Sequence, residues 1–497
     1  MKHFSLALLI ILLFAPMQRL HAQVGADLLN AGKDFEKNGR FDDAVRDYQQ
    51  LIDSPSSATE VKLEATFRLG RIQLEVRGDV AKAQQYFTEV KKGLQFPDLV
   101  ALGMVYNGKS IMATAKNDAE YSRALSEFDT VIRAYPNSPA FVEALVAGGS
   151  VLEVQHKFED ARVKYQSIVF GFPNSPVAPN AFMSLGRTLT RLESVDDALK
   201  DYQNVQRLYG DRSVAAIAKQ NATLLYRVFN LHERAQTQVA HKSDAFKIDS
   251  PERIDWLASG GIQVFDGSHT YTVSTKGEAS QAPAPPDFTD SKGGAYRISK
   301  KSIQLPDSKT LTPVLKKDGK PSQFGEILAG AVNHFGDLVI ATSGPDGVFR
   351  VTRETGDSVA FLPIAKKTKK ILADSEDNFY LLDENQSTIT IVDWQGKSLA
   401  TVLATTAGVK RIQDFTIDTF DNLYILDEEG QYLILGGINL SKNKLKPLQK
   451  QQVVEKNDKP SDKSNTPPKI LKDLRAIAVS PTGSVYIAAK DQLLSFE

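Results

Sequence analysis

No cysteine occurs anywhere in the 497 residues. That removes disulfides, thiolate metal sites, cysteine nucleophiles and a lipid anchor on an N-terminal cysteine. Histidine is scarce at seven residues, and tryptophan scarcer at two. Net charge is missing as well: 60 Lys and Arg stand against 60 Asp and Glu. The balance holds in both halves of the chain, so neither carries the basic excess that non-specific nucleic-acid binding requires. No Gly-rich phosphate loop, nucleophile elbow or zinc signature is present, so no catalytic residue and no cofactor is assigned. Long apolar runs are also lacking. The longest, Phe4 to Phe14, falls short of the roughly 20 residues that span a bilayer. Lys2 and His3 precede it, and Pro16, Arg19 and Leu20-His21-Ala22 follow, the layout of a secretory signal over residues 1–22 cleaved after Ala22. The expectation is an exported chain, periplasmic or secreted, with no transmembrane span and no lipid anchor, held together by packing alone.

What the chain has in quantity is repetition. A small residue with an aromatic four positions on recurs as Ala44 and Tyr48, Ala83 and Phe87, Ala124 and Phe128, Ala161 and Tyr165, and Ala198 and Tyr202. Upstream of each lies a second small residue, in Ala31-Gly32, Leu69-Gly70, Asn107-Gly108, Gly148-Gly149 and Leu185-Gly186. Two antiparallel helices approach closely only where Gly or Ala removes side-chain bulk, and an aromatic then fills the space beside the contact. Pro136-Asn137-Ser138-Pro139 and Phe172-Pro173-Asn174-Ser175-Pro176 punctuate the series, with the first proline stopping one helix and the second suiting the start of the next. These residues resemble the tetratricopeptide repeat (TPR) family. The likeness covers about five repeats within residues 23–235, with residues 213–229 as a closing helix. The spacing and the Pro-Asn-Ser-Pro joints are similar to the bacterial envelope branch of that family, the outer-membrane assembly lipoprotein and the Tol–Pal accessory protein.

The resemblance implies that the residue after each helix A glycine faces a concave groove. Here that position reads Lys33, Arg71, Lys109, Ser150 and Arg187. A row of exposed charge is usually only solvated. Aligned cations also suit an acidic segment or a C-terminal carboxylate of a protein partner. Lys33, Arg71, Lys109 and Arg187 are therefore the candidate binding residues.

Past the polar stretch 236–250, read as a linker, the hydrophobic period switches from helical to alternating. Asn333 to Ile340, Asp374 to Asp383, Asp418 to Asp427 and Ser480 to Ile487 are copies of one unit, with a weaker copy at Lys292 to Ile298. Gly293, Gly336, Asp377, Asp421 and Gly483 are equivalent positions in it. Each copy is a tight turn between two β-rich runs, and a four-stranded unit of this length is the size of a propeller blade. The copies resemble the NHL β-propellers, which implies a propeller of about six blades over 251–497. Gln492 to Phe496 is expected to close the ring by joining an N-terminal edge. Residues 278–292 and 442–468 are expected to be flexible loops.

Candidate chemistry in this half is thin. His269 and His334 lie at different places in their blades. Asp374, Asp377, Asp418 and Asp421 have a spacing that suits calcium, but turn geometry explains them better. Lys366, Lys367, Lys369 and Lys370 form one short basic run, solvated or facing an anionic surface. The fold class is thus a multidomain one, an α-helical TPR solenoid followed by an all-β propeller. The function it implies is a non-catalytic scaffold for protein–protein interactions in cell-envelope assembly or maintenance. The alternative is a propeller hydrolase, lyase or glycan-binding module with the TPR region as docking arm.

Overall fold

A computed structural model describes residues 25–231, 233–241, 251–290, 292–317, 320–322, 325–333, 336–343, 347–353, 355–362, 367–437, 445–455 and 469–497. The expected export signal, His334 and Lys366 lie outside them. The chain divides into two compact units, Met1–Ala215 and Ala216–Glu497. No helix among the described residues is long and apolar enough to cross a membrane.

The first unit consists of five helical hairpins. They pair α1 (25–37) with α2 (Phe41–Asp53), α3 (Thr59–Arg71) with α4 (Val80–Val90), α5 (Pro97–Thr114) with α6 (Asp118–Ala134), α7 (Ala140–Val154) with α8 (Phe158–Gly171), and α9 (Ala178–Arg191) with α10 (Val195–Leu208). Local chemistry sets the helix starts. The Asp79 side chain accepts the Lys82 amide at 3.0 Å, and Asn117 accepts that of Glu120 at 3.0 Å, each an N-cap that satisfies a donor the helix leaves open. Pro97 sits in the first turn of α5, and Pro139 directly precedes α7.

Within each hairpin the aromatic packs against the glycine of the partner helix. A Cβ added to Gly32, Gly70, Gly108, Gly149 or Gly186 would come within 2.5 to 2.7 Å of the ring of Tyr48, Phe87, Phe128, Tyr165 or Tyr202 respectively. All five rings and the five alanines four residues before them are fully buried. The glycine therefore makes room for the ring itself rather than for a bare helix–helix contact.

The second unit is a six-bladed propeller of antiparallel sheets. Blade one runs through 253–281, blade two through 288–311, blade four through 368–403 and blade five through 412–452. Blade three has strands Ile327–Val332, Leu338–Thr342, Val348–Val351 and Asp357–Leu362, the last joined by an extra hairpin of Val314–Lys317 and Lys320–Ser322. Blade six comprises Leu474–Val479, Val485–Ala489 and Gln492–Phe496, with Gln236–His241 hydrogen-bonded to the last of these as its outer strand. The ring closes by this pairing of distant segments, which removes the exposed edges. Apolar cores lie between successive blades, as with Tyr380, Ile389, Phe415 and Ile425 between blades four and five.

Three expectations need correction. The linker assigned to 236–250 begins with the closing strand, because Thr237 Oγ1 and Ser495 Oγ lie 2.6 Å apart and the main chains pair along 236–241. The loop assigned to 442–468 contains Pro447–Gln452, the outer strand of blade five, where solvent-facing polar residues suit a strand with one neighbour. The loop assigned to 278–292 contributes Ala279–Gln281 to blade one and Phe288–Thr289 to blade two. In addition, the unit boundary falls at 215/216 rather than near 235, and Arg227, Val228, Leu231 and Arg234 are tied to the blades. Arg227 donates to Ser484 Oγ at 2.6 Å, Arg234 to the Gly483 carbonyl at 2.5 Å, and Gln449 Nε2 to the carbonyls of Arg227, Val228 and Leu231, each at 2.7 Å.

The turn that repeats in the sequence has one geometry in five blades. Gly293, Gly336, Asp377, Asp421 and Gly483 all have positive φ, between 60° and 84°. Three residues earlier, Asp290, Asn333, Asp374, Asp418 and Ser480 each accept, through a side-chain oxygen, the amide four residues on, at 2.7 to 3.0 Å. Glycine adopts the left-handed region freely, and Asp tolerates it better than most side chains.

Candidate functional site

The four candidate residues of the helical repeats are each already paired. Lys33 Nζ lies 2.7 Å from Glu64, Arg71 Nη2 is 2.9 Å from Glu75, Lys109 Nζ is 2.8 Å from Glu143, and Arg187 Nη2 is 2.8 Å from Glu153. Three of these pairs join one repeat to the next, through glutamates on α3 and α7. The row is thus a ladder of alternating sign rather than a strip of unopposed positive charge. The sequence signal was available: Glu64 and Glu143 each stand six residues before the next repeat's helix A glycine, Gly70 and Gly149.

The aromatic at the hairpin contact is coupled to this ladder. Tyr48 Oη donates to Glu36 at 2.5 Å, and Tyr165 Oη donates to Glu153 at 2.7 Å. Glu36 and Glu153 each lie four residues past the helix A glycine. In the second and third repeats the ring is Phe87 or Phe128, with no hydroxyl to satisfy, and the equivalent positions are Leu74 and Met112. Burial, followed by the Glu153 charge, pushes the Tyr165 phenol well above its ordinary range, so it remains a donor.

One stretch of the ladder opens into a cleft of about 380 Å³, lined by Lys33, Glu36, Phe41, Arg71, Ile72, Glu75 and Val76 among others. Its floor is unusual backbone. Helix α3 continues through a single π turn, Ile72–Val76, in which the Arg77 amide reaches the Ile72 carbonyl five residues back at 3.1 Å. Such turns occur frequently at functional sites. Val76 is 46% exposed there. Arg71 Nε is buried with no acceptor among the described residues, although Nη2 is held by Glu75. Tyr106 lies between Arg71 and Lys109, whose cationic groups sit 5.5 and 4.3 Å from its ring centre. Burial, with Glu143 adding to it, moves the Tyr106 phenol up to about 12.

In the propeller, two of the aspartates that suggested calcium, Asp374 and Asp418, are engaged as turn acceptors. Asp418 Oδ1 accepts the amides of Phe420 and Asn422 at 2.8 and 3.0 Å, and its Oδ2 accepts Asn422 Nδ2 and Tyr424 Oη at 2.8 and 2.9 Å. Full burial moves its carboxyl up to about 6 against those hydrogen bonds. Asp421 reaches the preceding blade and accepts from the Ser375 amide at 3.0 Å and its hydroxyl at 2.6 Å. Among the described residues no three His, Asp or Glu side chains are placed to share a metal ion. His269 is exposed and hydrogen-bonded to Ser268 at 2.8 Å. Of the basic run, Lys367 lies 3.9 Å from Glu384, while Lys369 and Lys370 belong to the first strand of blade four.

Residues 29–93 match the tetratricopeptide repeat family model. No curated protein matches the chain. Among solved structures, virginiamycin B lyase from Staphylococcus aureus is 12% identical with a TM-score of 0.36, over 53% of this chain and 99% of the lyase. PilF of Pseudomonas aeruginosa is 14% identical with a TM-score of 0.32, over 39% of this chain and 79% of PilF. A tetratricopeptide repeat protein from Parabacteroides merdae is 17% identical with a TM-score of 0.32, over 41% of this chain and 73% of that one.

Proposed function

We propose that the protein is an exported, non-catalytic scaffold of the cell envelope whose helical repeats hold an acidic segment or C-terminal carboxylate of a protein partner. The observation that carries this reading is the cleft at the first two repeats. It places Lys33 and the unused Nε of Arg71 beside exposed Val76 on a π turn. A partner carboxylate there takes over Arg71 and Lys33 from Glu75 and Glu64, exchanging one half-exposed ion pair for another at little net electrostatic cost. Apolar contact with exposed Val76, together with the orphan N–H, supplies the net gain. Export rests on the signal-like residues 1–22, and the envelope setting on the likeness of the repeat joints to envelope TPR proteins. The propeller supplies a second surface on the same polypeptide.

The test is cross-linked affinity capture from the cell envelope, run beside a variant carrying Lys33→Glu, Arg71→Glu, Lys109→Glu and Arg187→Glu. A partner captured by the wild type and lost in the variant is the expected result. Equal capture by both proteins removes the inner face from the mechanism.

A further inference from the structure

Blade one is joined to blade two by the sequence Ala282-Pro283-Ala284-Pro285-Pro286. Proline holds φ at about −65°, and a residue before proline is confined to extended conformations. Pro283, Pro285 and Pro286 also bring no N–H, and the segment lies outside the ladders. Its exposure repeats at every third residue instead. Ala282 and Pro285 are half-buried and Phe288 is buried, whereas Gln281, Ala284 and Asp287 are exposed. That is the period of a polyproline II helix. On its remaining edge stand Pro283, exposed, and Pro286, half-buried, one turn and about 9 Å apart.

The propeller grips this segment by its carbonyls. Arg297 donates from Nη2 to Ala284 and from Nη1 to Pro285, at 2.8 and 3.0 Å. Arg253 Nη1 donates to Pro286 and Asp287 at 2.6 and 2.9 Å, while its Nε is held 2.7 Å from Asp255. Gln263 Nε2 reaches the Pro283 carbonyl at 3.4 Å. Five successive carbonyls, 283–287, thus receive side-chain donors, and four of the five donors are guanidinium N–H groups, which make the stronger kind of hydrogen bond. The ends are fixed as well. The Ala282 amide donates to the Thr270 carbonyl at 2.9 Å, and Asp287 Oδ2 accepts the Ile298 amide at 2.6 Å.

These contacts limit what a partner can read. Ala284 carries the one main-chain N–H between 283 and 286, so the segment cannot be extended by pairing as a strand. It presents proline rings, and carbonyl oxygens that each keep a second lone pair. We infer that residues 282–286 are a preformed docking ligand for a partner protein whose groove is lined by aromatic side chains, with Pro283 and Pro286 as the anchors. Such grooves take Pro-x-x-Pro segments in this conformation because little entropy remains to be lost on binding. Here Arg253 and Arg297 have removed it in advance.

The experiment uses the purified full chain, with a fluorescein-labelled SH3 domain that recognises Pro-x-x-Pro ligands as the probe and anisotropy as the readout. Saturable binding is expected, at least about threefold tighter than to a synthetic peptide of residues 278–290, which must be ordered before it fits. The Pro283→Ala, Pro286→Ala double variant should lose it. The Arg253→Gln, Arg297→Gln double variant keeps both prolines but frees the segment, and its affinity should fall to that of the peptide. No saturable binding by the wild type, or equal binding by the proline variant, overturns the docking role. Binding no tighter than that of the peptide, or unchanged in the arginine variant, overturns the preformed ligand. Should the arginine variant fail to fold, Arg297→Lys replaces it, because one ammonium cannot reproduce the fork on two carbonyls; weaker binding then supports the inference and unchanged binding refutes it. Every readout concerns the propeller, so the outcome does not depend on whether the repeat cleft binds a partner.

Discussion

Gly148 and Gly149 are neighbours on one helix, and replacing each by alanine should change stability in opposite directions. Either change removes the backbone freedom of a glycine inside a helix, a gain of about 1 kcal/mol. The surroundings then decide. A Cβ on Gly149 would lie 2.6 Å from two carbons of the Tyr165 ring and 3.1 Å from a third. That ring cannot retreat, because it is fully buried and its hydroxyl is fixed on Glu153 at 2.7 Å. Overpacking of this kind costs roughly 1–3 kcal/mol, and three such contacts put it at the upper end, so Gly149→Ala should lose about 2 kcal/mol net. A Cβ on Gly148 meets only the aliphatic carbons of Lys164 at 3.2 and 3.3 Å and Leu125 at 3.6 Å. The lysine stem can shift by a few tenths of an ångström while Nζ keeps Asp129, 2.8 Å away. Gly148→Ala should therefore gain about 0.5–1 kcal/mol. Urea unfolding followed by far-ultraviolet circular dichroism reports the helical unit. Shifts of the same sign in both variants, or a Gly149→Ala midpoint equal to wild type, would refute the ring-on-glycine argument.

Three further outcomes follow from the same geometry. Glu153→Ala should cost about 2 kcal/mol in urea melts, because it leaves Tyr165, Arg187 and Thr188 without their acceptor; Glu143→Ala, which breaks a single half-exposed contact to Lys109, should cost less than about 1 kcal/mol. The carboxyl of Asp418 is raised from 3.8 to about 6 by burial, so the folded state binds its proton more tightly than the unfolded chain. Its contribution to stability is therefore full below its ordinary value and declines through about pH 6, by up to about 3 kcal/mol. Asp418→Asn should flatten that part of the pH profile when unfolding is read by tryptophan fluorescence, since both tryptophans, Trp256 and Trp394, lie in the propeller unit. An unchanged slope would mean that Asp418 is ionised throughout. Deleting residues 492–497 removes the partner of Gln236–His241, and fluorescence-detected unfolding should lose its cooperativity, whereas a sharp transition would show that ring closure is dispensable.

Architecture was legible in the sequence wherever one residue type answers one local demand. Each helix A glycine has an aromatic lying on it, and each repeated turn needs a left-handed residue after a side-chain acceptor, so spacing alone located five hairpins and five turns. What stayed hidden depends on partners far apart in the chain. Gln236–His241 looks like a polar linker because its pairing strand lies at Gln492–Phe496. Pro447–Gln452 looks like loop because an outer strand has one neighbour and no buried face to impose alternation. In the repeats, reading one position per helix found Lys33, Arg71, Lys109 and Arg187 but not the glutamates opposite them. The groove therefore looked basic when it is balanced.

The bulges of the propeller could not be read in the same way. A strand with one buried face alternates with a period of two, and an inserted residue breaks that period at the place where function is most concentrated. In Thr368–Ala373 the lysines at 369 and 370 are adjacent, so alternation assigns them to opposite faces and the run looks like solvated charge. Once Lys369 is recognised as the extra residue, Lys370 takes the rung held by Asp414 in the next blade, and the 2.7 Å pair between them follows from that equivalence. The same one-residue shift makes Leu328, Lys369, Gln413 and Arg475 a set. Their separations repeat those of the turn residues Gly336, Asp377, Asp421 and Gly483, so aligning the blades on the turns and looking eight residues back recovers the set from sequence.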